Sequence, residues 1–363
     1  MRPLRHFERF IAGASLALSL ASPASALEIE GVSIPAGKRT DLRLEVPAGQ
    51  SDAATFIPVS VIRGAKPGPV FLMVAGIHGF EFASILAAER LAQEVSPEDL
   101  RGTLLMTRPA HVSAFEERSP YVNPYDRKNL NRSFPGVADG SQTERIAHAL
   151  STELIAKADF VADVHSGDGA EWLDAFVGVY GGPLSTDYET ALAFARAMNF
   201  PNIVRYSMNT PEQIDRGRSL NRQAVAQGLP TVLIEIGQNG SRNPEDVSKI
   251  VDGITAAMAA LSMIEIPVTM GGAANETHPS PRLMDSTTSV PVAHSGVWHP
   301  RYLKGNPVEK GEVLGVIRDY TGAVVETVRA PVSGYPIYGL AGPPVRAGDS
   351  VMSIGHVVDS LRD

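Results

Sequence analysis

The fold is decided by one stretch, Val70-Phe71-Leu72-Met73-Val74-Ala75-Gly76-Ile77-His78-Gly79-Phe80-Glu81. Its first six residues are apolar and predict a buried strand, and a helical pattern follows at 83–91. Gly76 and Gly79 allow the backbone to turn tightly between the two elements. His78 and Glu81 stand three residues apart in that turn, so their side chains can meet at one point. The spacing alone also fits a capping glutamate beside a surface histidine, but the position after a buried strand favours a site.

Outward from this stretch, residues 68–263 alternate short apolar runs with amphipathic stretches. The pattern predicts further strands at 104–107, 159–164 and 231–236 and helices at 143–156, 190–198, 220–226 and 244–261. Strands separated by helices indicate an α/β fold, with a mostly parallel or mixed sheet covered by helices on both faces. Because ligands of such sheets bind beyond the carboxyl ends of the strands, the residues at those ends are the candidates for chemistry.

A histidine closes the third predicted strand. His165 follows the run at 159–164 and precedes a turn at 166–168. Since the chain has no cysteine, a metal ion must be held by His, Asp or Glu, and two histidines with one carboxylate form a known catalytic zinc set. The sequence therefore predicts a zinc site at His78, Glu81 and His165, with Asp163 on the same strand face to orient an imidazole. A core histidine satisfied by the backbone is the alternative for His165.

Two further sites carry polar side chains of interest. Glu235 lies among apolar residues near the end of the strand at 231–236, where burial would raise its pKa into the range of a general base. A structural ion pair with an arginine is the alternative. Asn131 and Arg132 stand in the loop at 129–136, where a guanidinium fork and an amide could bind a substrate carboxylate. Viewed alone, such a pair also fits a solvated turn.

Composition excludes several classes of protein. With 32 Lys+Arg against 40 Asp+Glu the net charge is −8, which argues against a nucleic-acid binder because phosphate contacts need a basic face. The absence of cysteine excludes a thiolate nucleophile, a disulfide framework and cysteine-ligated zinc or iron–sulfur sites. A length of 363 residues suits one large or two moderate domains.

The N-terminal segment 1–26 has the layout of a secretory signal. Arg2, Arg5 and Arg9 precede an apolar run at 10–21, and the small residues at 24–26 follow. The apolar run is too short to span a bilayer. The sequence therefore predicts cleavage after Ala26 and a periplasmic or secreted protein without membrane attachment; an amphipathic first helix is the alternative.

The mature chain divides into two predicted domains. Residues 27–270 are assigned to the catalytic α/β domain, and the Gly-, Ala- and Pro-rich segment 271–284 to a linker. Beyond it, short apolar runs between Gly and Pro turns predict a small all-β domain at 285–363.

Four segments resemble, in this order, the succinylglutamate desuccinylase/aspartoacylase family of the zinc carboxypeptidase superfamily. They are 76–81, 129–136, 163–165 and 235–237. The resemblance covers about 50–265 and implies a zinc-carboxypeptidase-like sheet, His78, Glu81 and His165 as ligands of one Zn²⁺ per chain, and Glu235 as the catalytic carboxylate.

The same resemblance implies roles for the loop at 129–136 and for the C-terminal segment. Asn131 and Arg132 would bind the substrate carboxylate, with Arg132 also taking part in catalysis. A further arginine would polarise the scissile carbonyl; Arg127 and Arg118 are the candidates, and Arg127 is assigned to substrate binding. Residues 305–355 resemble the barrel-sandwich fold of lipoyl and biotinyl domains. A carrier domain of that kind needs a lysine at a hairpin tip, and since no lysine follows Lys310, a lid or a dimer surface is expected instead.

These observations predict an exported zinc-dependent hydrolase of the deacylase type. It would cleave the amide bond of a small anionic N-acyl amino acid by metal-activated water, with Glu235 as general base. One alternative is a metallocarboxypeptidase acting on short peptides, with Arg132 at the terminal carboxylate. Another is an exported binding protein with a structural metal site. The sequence leaves the acyl group, the amino acid and assembly into a homo-oligomer open.

Overall fold

The computed structural model describes residues 27–50, 52–182, 185, 187–215, 219–265, 280–301 and 305–361. The predicted signal and most of the predicted linker, 271–279, lie outside these residues. The strands are β1 (Leu27–Ile29), β2 (Val32–Ile34), β3 (Lys38–Val46), β4 (Thr55–Arg63), β5 (Lys66–Ala75), β6 (Arg101–Thr107), β7 (Phe160–Ser166), β8 (Glu171–Gly181), β9 (Asn202–Ser207), β10 (Thr231–Gln238), β11 (Arg282–Pro291), β12 (Gly296–Pro300), β13 (Val313–Arg318), β14 (Val324–Arg329), β15 (Tyr335–Leu340), β16 (Pro344–Val345) and β17 (Ser350–Val358). The α-helices are α1 (Phe82–Glu94), α2 (Val112–Glu116), α3 (Gln142–Ala149), α4 (Tyr188–Ala197), α5 (Pro211–Asp215), α6 (Leu220–Ala226) and α7 (Pro244–Ala260). Within the described ranges, no helix is long and apolar enough to cross a membrane.

One mixed sheet of eleven strands organises the chain, in the order β15-β17-β11-β9-β8-β10-β7-β5-β6-β4-β3. The central strands β10, β7, β5 and β6 run parallel to one another, as strands joined through crossover helices do. Two antiparallel strands, β4 and β3, extend the sheet beyond β6. On the other side β8 pairs antiparallel to β10. The fold class is therefore mixed α/β, in agreement with the sequence analysis, although β3, β4, β8 and β9 were not predicted.

Helices cover both faces of the central strands. On one face α1, α4 and α7 pack against apolar residues of the sheet such as Met73, Ala162 and Ile234. On the opposite face α3 and α6 contribute Ile146 and Leu220 to a second apolar cluster. Because both faces are closed to water, polar side chains of these strands can meet a ligand only at the strand ends.

The strands β8, β9, β11, β17 and β15 pair in a ring, because β15 joins β17 on one side and β8 on the other. They therefore close into a five-stranded barrel. Apolar residues of its strands pack together, among them Phe176, Tyr180, Val204, Met284 and Ile337. In β17, a Cβ on Gly355 would lie 2.1 Å from the sulfur of Met284, so a larger residue there would require the Met284 side chain to move.

The C-terminal segment is joined to the rest of the chain by strand pairing. The strands β14, β13, β12 and β16 form a separate four-stranded sheet over their own apolar cluster. However, β11, β15 and β17 belong to the large sheet. This corrects the predicted linker of 271–284: Arg282 already begins β11, where its backbone N–H donates to Pro201 O and its guanidinium contacts Asp174 at 3.0 Å. The composition of 271–284 predicts a break in the α/β pattern, but it does not predict that β11 pairs with β9.

A partly buried ion pair holds the start of α3 to the loop before β4. The Arg145 guanidinium contacts the Asp52 carboxylate, and Asp52 also accepts the Gln142 N–H at 3.0 Å. The hydrogen bond from Arg145, outweighing the effect of burial, lowers the pKa of Asp52. Only 5% of the Arg145 side chain and 8% of the Asp52 side chain are exposed. Removing either side chain would therefore leave the other charge with little access to water and without this partner.

We expect Arg145→Met to lower the free energy of unfolding at pH 7 by about 2–3 kcal/mol, since it leaves a carboxylate without its charged donor. Because the folded-state pKa of Asp52 is lowered, its contribution is present above the unfolded pKa of about 3.9 and is lost as the pH falls through the folded value. The difference between the variant and the wild type, measured by denaturant unfolding, should therefore shrink below about pH 4. Arg90→Met, in an exposed pair with Glu94, should change stability by less than about 1 kcal/mol. Equal losses in the two variants would contradict this.

Candidate active site

His78 and Glu81 lie in the turn between β5 and α1, as the sequence predicts. A Cβ on Gly76, which has φ +73°, would lie 2.5 Å from Pro109, and a Cβ on Gly79 would lie 2.1 Å from the backbone of Ala114. The tight packing around these glycines fixes the turn. Within it, His78 Nδ1 lies 2.6 Å from Glu81 Oε1, and both side chains are buried.

His165, near the end of strand β7, completes the group. Its Nδ1 lies 3.0 Å from Glu81 Oε2, and the ring centroids of His165 and His78 are 5.1 Å apart. One donor atom from each of His78, Glu81 and His165 lies within 4.8 Å of the other two. The structure therefore brings the three predicted ligands together.

The buried Glu81 carboxylate has the features of a cation ligand. Its Oε2 is buried and receives no hydrogen bond of acceptable geometry from the described residues. Burial by itself would raise the pKa of Glu81, but the imidazoles of His165 and His78 lower it to about 2. Conversely, burial would lower the pKa of His165, whereas Asp163 and Glu81 raise it well above its usual value. The site is thus built to hold positive charge among these donors, and two imidazoles with one carboxylate fit a divalent metal ion.

The opposite nitrogen of His165 is held by a buried polar network. His165 Nε2 lies 2.9 Å from Asp163 Oδ1, so the structure places the Asp163 carboxylate beside the imidazole. Asn131 Nδ2 lies 3.3 Å from Asp163 Oδ2, and Asn221 Nδ2 donates to the same oxygen at 3.2 Å. Asn131 Oδ1 accepts the Leu220 N–H at 2.8 Å. Both ends of the Asn131 amide therefore face protein groups, and its predicted contact with substrate stays a prediction.

Glu235 stands beside His165 across two parallel strands. The β10–β7 register pairs Glu235 with His165 and Leu233 with Asp163, so Glu235 and His165 point to the same face of the sheet. The pairing of β10 with β8 shifts register between Glu235 and Gly237 and continues at Gly237 and Gln238. The side chain is half-buried, and its pKa is raised well above the usual range by burial, with further contributions from the charges of Glu81, Glu171 and Asp163 against the opposing effect of His165.

Arg132 lies at a cavity that, among the described residues, reaches the predicted metal ligands only through Asn129. The cavity has a volume of about 340 Å³ and is lined by Lys128, Asn129, Arg132, Ser133, Gly136, Val137 and Glu144. Asn129 Oδ1 lies 3.2 Å from His78 Nε2, which connects the cavity to the ligand group. The Arg132 side chain is exposed and donates from Nη1 to Asn131 O at 2.7 Å.

The structure does not assign the arginine that would polarise a carbonyl. Arg127 and Arg118 both have exposed side chains and positive φ angles, of 60° and 50°. Neither side chain contacts the ligand group within the described ranges. The roles predicted for them stay predictions.

Sequence reasoning missed a tyrosine and a glutamate next to the ligands. The Tyr121 ring packs edge-on against His78, with centroids 5.9 Å apart, and its hydroxyl donates to the Glu171 carboxylate. Glu171 opens β8, a strand that the sequence analysis did not predict. The turn at 166–168 could have indicated Glu171. A strand that begins directly after this turn starts at the end of the sheet where β7 and His165 end.

Sequence reasoning also missed Arg222, in α6. Its guanidinium is half-buried and donates to Gln213 O at 2.6 Å, next to an open cavity of about 510 Å³. Its positive charge acts on the phenols of Tyr180 and Tyr206, whose pKa values are raised by burial above the usual range, Tyr206 also by the charge of Glu235. The sequence feature that could have indicated Arg222 is its position in the helix that precedes β10, the strand of Glu235.

Comparisons with known proteins agree with this architecture. Residues 67–261 match the family model described as the succinylglutamate desuccinylase/aspartoacylase catalytic domain. N-alpha-acetyl-L-2,4-diaminobutyric acid deacetylase of Halomonas elongata is 27% identical over 323 residues, which are 88% of this chain and 92% of the relative.

Solved structures show the same fold. A succinylglutamate desuccinylase/aspartoacylase from Rhodobacter sphaeroides superposes with a TM-score of 0.79 at 22% identity, over 90% of this chain and 98% of the other. The product-bound ectoine utilization protein EutE (DoeB) from Ruegeria pomeroyi gives a TM-score of 0.78 at 24% identity, over 89% and 97% of the two chains. Since the family model matches more than half of the sequence, the chain belongs to the succinylglutamate desuccinylase/aspartoacylase family.

Proposed function

We propose that the protein is a zinc-dependent deacylase that hydrolyses the amide bond of a small N-acyl amino acid. The observation that carries the proposal is the convergence of His78, Glu81 and His165 with Glu235 in register beside His165. The name of the Halomonas elongata relative, a deacetylase of an N-acetyl amino acid, supports the class of substrate.

The proposed metal ion would be held by His78, Glu81 and His165. Nitrogen donors from two imidazoles and one carboxylate oxygen are a ligand set of catalytic zinc sites, and they leave a coordination position open. When bound, zinc would supply Lewis-acid polarisation of the substrate carbonyl and a lowered pKa for water. Asp163 fixes the orientation of the His165 ring from the opposite nitrogen, at 2.9 Å.

In this proposal Glu235 moves the protons of the reaction. Its carboxylate takes a proton from the attacking water and delivers it to the leaving amine. Burial raises the pKa of Glu235, which strengthens it as a base relative to an exposed carboxylate. Its position in β10 keeps it on the same face as His165 while both strands are fixed by backbone pairing.

We propose that Arg132 binds the substrate carboxylate. Its guanidinium is exposed at the cavity that contacts His78 through Asn129, so a carboxylate there would lie close to the metal ligands. Arg222, at the second cavity, offers a further guanidinium for an anionic group. Cleavage after Ala26 and export are part of the same proposal and rest on the sequence of 1–26.

The proposal is tested by a substrate panel with the zinc-loaded protein. N-acetyl and N-succinyl amino acids are compared with dipeptides, and release of the free amine is followed. We expect hydrolysis of N-acyl amino acids, with kcat/KM at least about tenfold higher than for dipeptides, and its loss on treatment with a chelator. Preference for dipeptides would instead indicate the carboxypeptidase alternative. Stoichiometric zinc without hydrolysis of any amide would indicate a binding protein.

A further inference from the structure

His111 is a buried histidine beside the turn that carries His78, and the proposed mechanism does not use it. It stands directly before α2, and only 1% of it is exposed. Its Nδ1 lies 3.2 Å from the carbonyl oxygen of Ile77. Because a carbonyl oxygen only accepts hydrogen bonds, Nδ1 carries a proton and is the donor. His111 thus binds the residue that directly precedes a proposed metal ligand.

Three successive carbonyl groups lead from β5 into this turn, and each accepts a hydrogen bond from the segment before α2. The backbone N–H of Ala110 donates to Ala75 O at 2.8 Å, and the backbone N–H of His111 donates to Gly76 O at 3.1 Å. The third carbonyl, that of Ile77, accepts from the His111 side chain. Since the chain enters α2 directly after His111, the imidazole extends the series beyond the point where the backbone turns into the helix.

The Ile77 carbonyl belongs to the peptide unit that leads into His78. Because a peptide unit is planar, the direction of this carbonyl restricts the φ angle of His78 and hence the direction of its side chain. On the other side of His78, its carbonyl oxygen accepts the Glu81 N–H at 3.4 Å, a longer contact than the 3.2 Å from His111. The hydrogen bond from His111 is therefore the shorter of these two constraints on the backbone around His78.

The balance of buried polar atoms does not by itself explain a histidine at position 111. Its Nε2 is buried and has no hydrogen-bond partner among the described residues. A leucine would leave Ile77 O without this donor, but it would bury no unpartnered nitrogen. With either residue one polar atom stays unpartnered, and such an atom lowers stability. What the histidine changes is the hold on the Ile77 carbonyl.

We propose that His111 is a positioning residue of the metal site, which holds the peptide unit before His78 so that the His78 imidazole meets Glu81 and His165. The inference rests on the proposed zinc site and goes beyond it, because His111 acts through the backbone of the turn. Groups that orient a metal ligand without touching the metal change its affinity by about 10- to 100-fold when they are replaced.

The experiment compares two substitutions that differ in the donor. His111→Leu removes the donor and keeps a buried side chain. His111→Asn keeps a donor, because the amide nitrogen of asparagine is attached to Cγ, as Nδ1 of histidine is. Ser113→Ala is the control, since Ser113 lies in α2 and its hydroxyl contacts Thr55 at 3.4 Å. Zinc affinity is measured by competition with a chelator of known affinity, and kcat and KM are measured with N-acetyl amino acids.

We expect His111→Leu to weaken zinc binding by about 10- to 100-fold, and His111→Asn to restore the affinity to within about threefold of the wild type. At saturating zinc, His111→Leu should lower kcat by at least about tenfold and change KM by less than about threefold, because the ligands are misplaced. The melting temperatures of the zinc-free proteins should differ little, since one unpartnered buried atom replaces another. Ser113→Ala should match the wild type in zinc affinity and in rate.

A zinc affinity of His111→Leu within about threefold of the wild type would overturn the inference. Equal losses in His111→Leu and His111→Asn would also overturn it, because they would report lost packing and not a lost hydrogen bond. The affinities separate this inference from the proposed function. If the wild type binds one zinc ion but cleaves no N-acyl amino acid, the deacylase function fails, while weaker binding by His111→Leu and its recovery in His111→Asn still support the role of His111.

Discussion

Glu235→Gln is expected to lower kcat by about 10²- to 10⁴-fold, the range that a general base contributes, while one zinc ion per chain is retained. The amide has nearly the shape of the carboxylate but cannot take a proton from water at neutral pH. The parallel pairing of β10 with β7 keeps residue 235 beside His165 in the variant, so the loss reports proton transfer and not displacement of the strand. The measurement is steady-state turnover of an N-acyl amino acid, with the metal content determined by mass spectrometry on the same sample.

Glu45→Gln is the matched control, because Glu45 is an exposed strand glutamate at the far edge of the sheet, where it pairs with Arg43. It should leave kcat and metal content unchanged. Turnover of Glu235→Gln within about threefold of the wild type would contradict the role of Glu235 as a base. A loss of zinc in the same variant would instead make Glu235 a ligand.

The convergence of His78, Glu81 and His165 could be predicted from the sequence because its parts are local. His78 and Glu81 share one turn after a strand of six apolar residues, and His165 follows another apolar strand. Parallel strands bring their carboxyl ends to one edge, so two local patterns suffice to place three ligands together. The position of Glu235 is predicted by the same rule, because it lies near the carboxyl end of β10, which is parallel to β7.

Glu171 and Tyr338 could not be placed in the same way. Glu171 belongs to β8 and Tyr338 to β15, strands far apart in sequence that meet only because the barrel closes, with Tyr338 opposite Leu173. No local periodicity encodes which strands close a ring. The sequence analysis therefore treated the C-terminal segment as a separate domain, whereas β11, β15 and β17 belong to the sheet that carries the site.

Asn131 shows a different limit of sequence reasoning. An amide beside an arginine in a loop predicts donors for a substrate carboxylate, but residue type does not show what the folded chain places around it. In the structure its Oδ1 accepts the Leu220 N–H and its Nδ2 lies 3.1 Å from His165 Nε2. Arg132, the next residue, is exposed at the cavity. Asn131 is thus surrounded by protein groups, whereas Arg132 next to it in the sequence is open to solvent.

His78→Ala is expected to abolish turnover and to lower zinc content to a small fraction of one ion per chain. The substitution removes one of three protein ligands and leaves Glu81 with His165 alone. Two protein ligands do not complete a catalytic zinc site. The second readout is thermal stability, because a ligand that binds the folded chain stabilises it by about 4 kcal/mol at a concentration 1,000 times its dissociation constant. Zinc should therefore raise the melting temperature of the wild-type apoprotein and leave that of His78→Ala nearly unchanged.

His299→Ala serves as the control, since His299 is an exposed histidine of β12 in the separate four-stranded sheet. It should bind zinc and gain thermal stability from it as the wild type does. Stoichiometric zinc in His78→Ala would exclude His78 as a ligand. If zinc stabilises the wild type and His78→Ala loses both zinc and activity, while Glu235→Gln keeps zinc and loses only turnover, the metal and the base are separate functions of one site. This separation distinguishes a hydrolase from a protein that holds zinc for structure alone. A protein with a structural ion has no turnover that Glu235→Gln could lower.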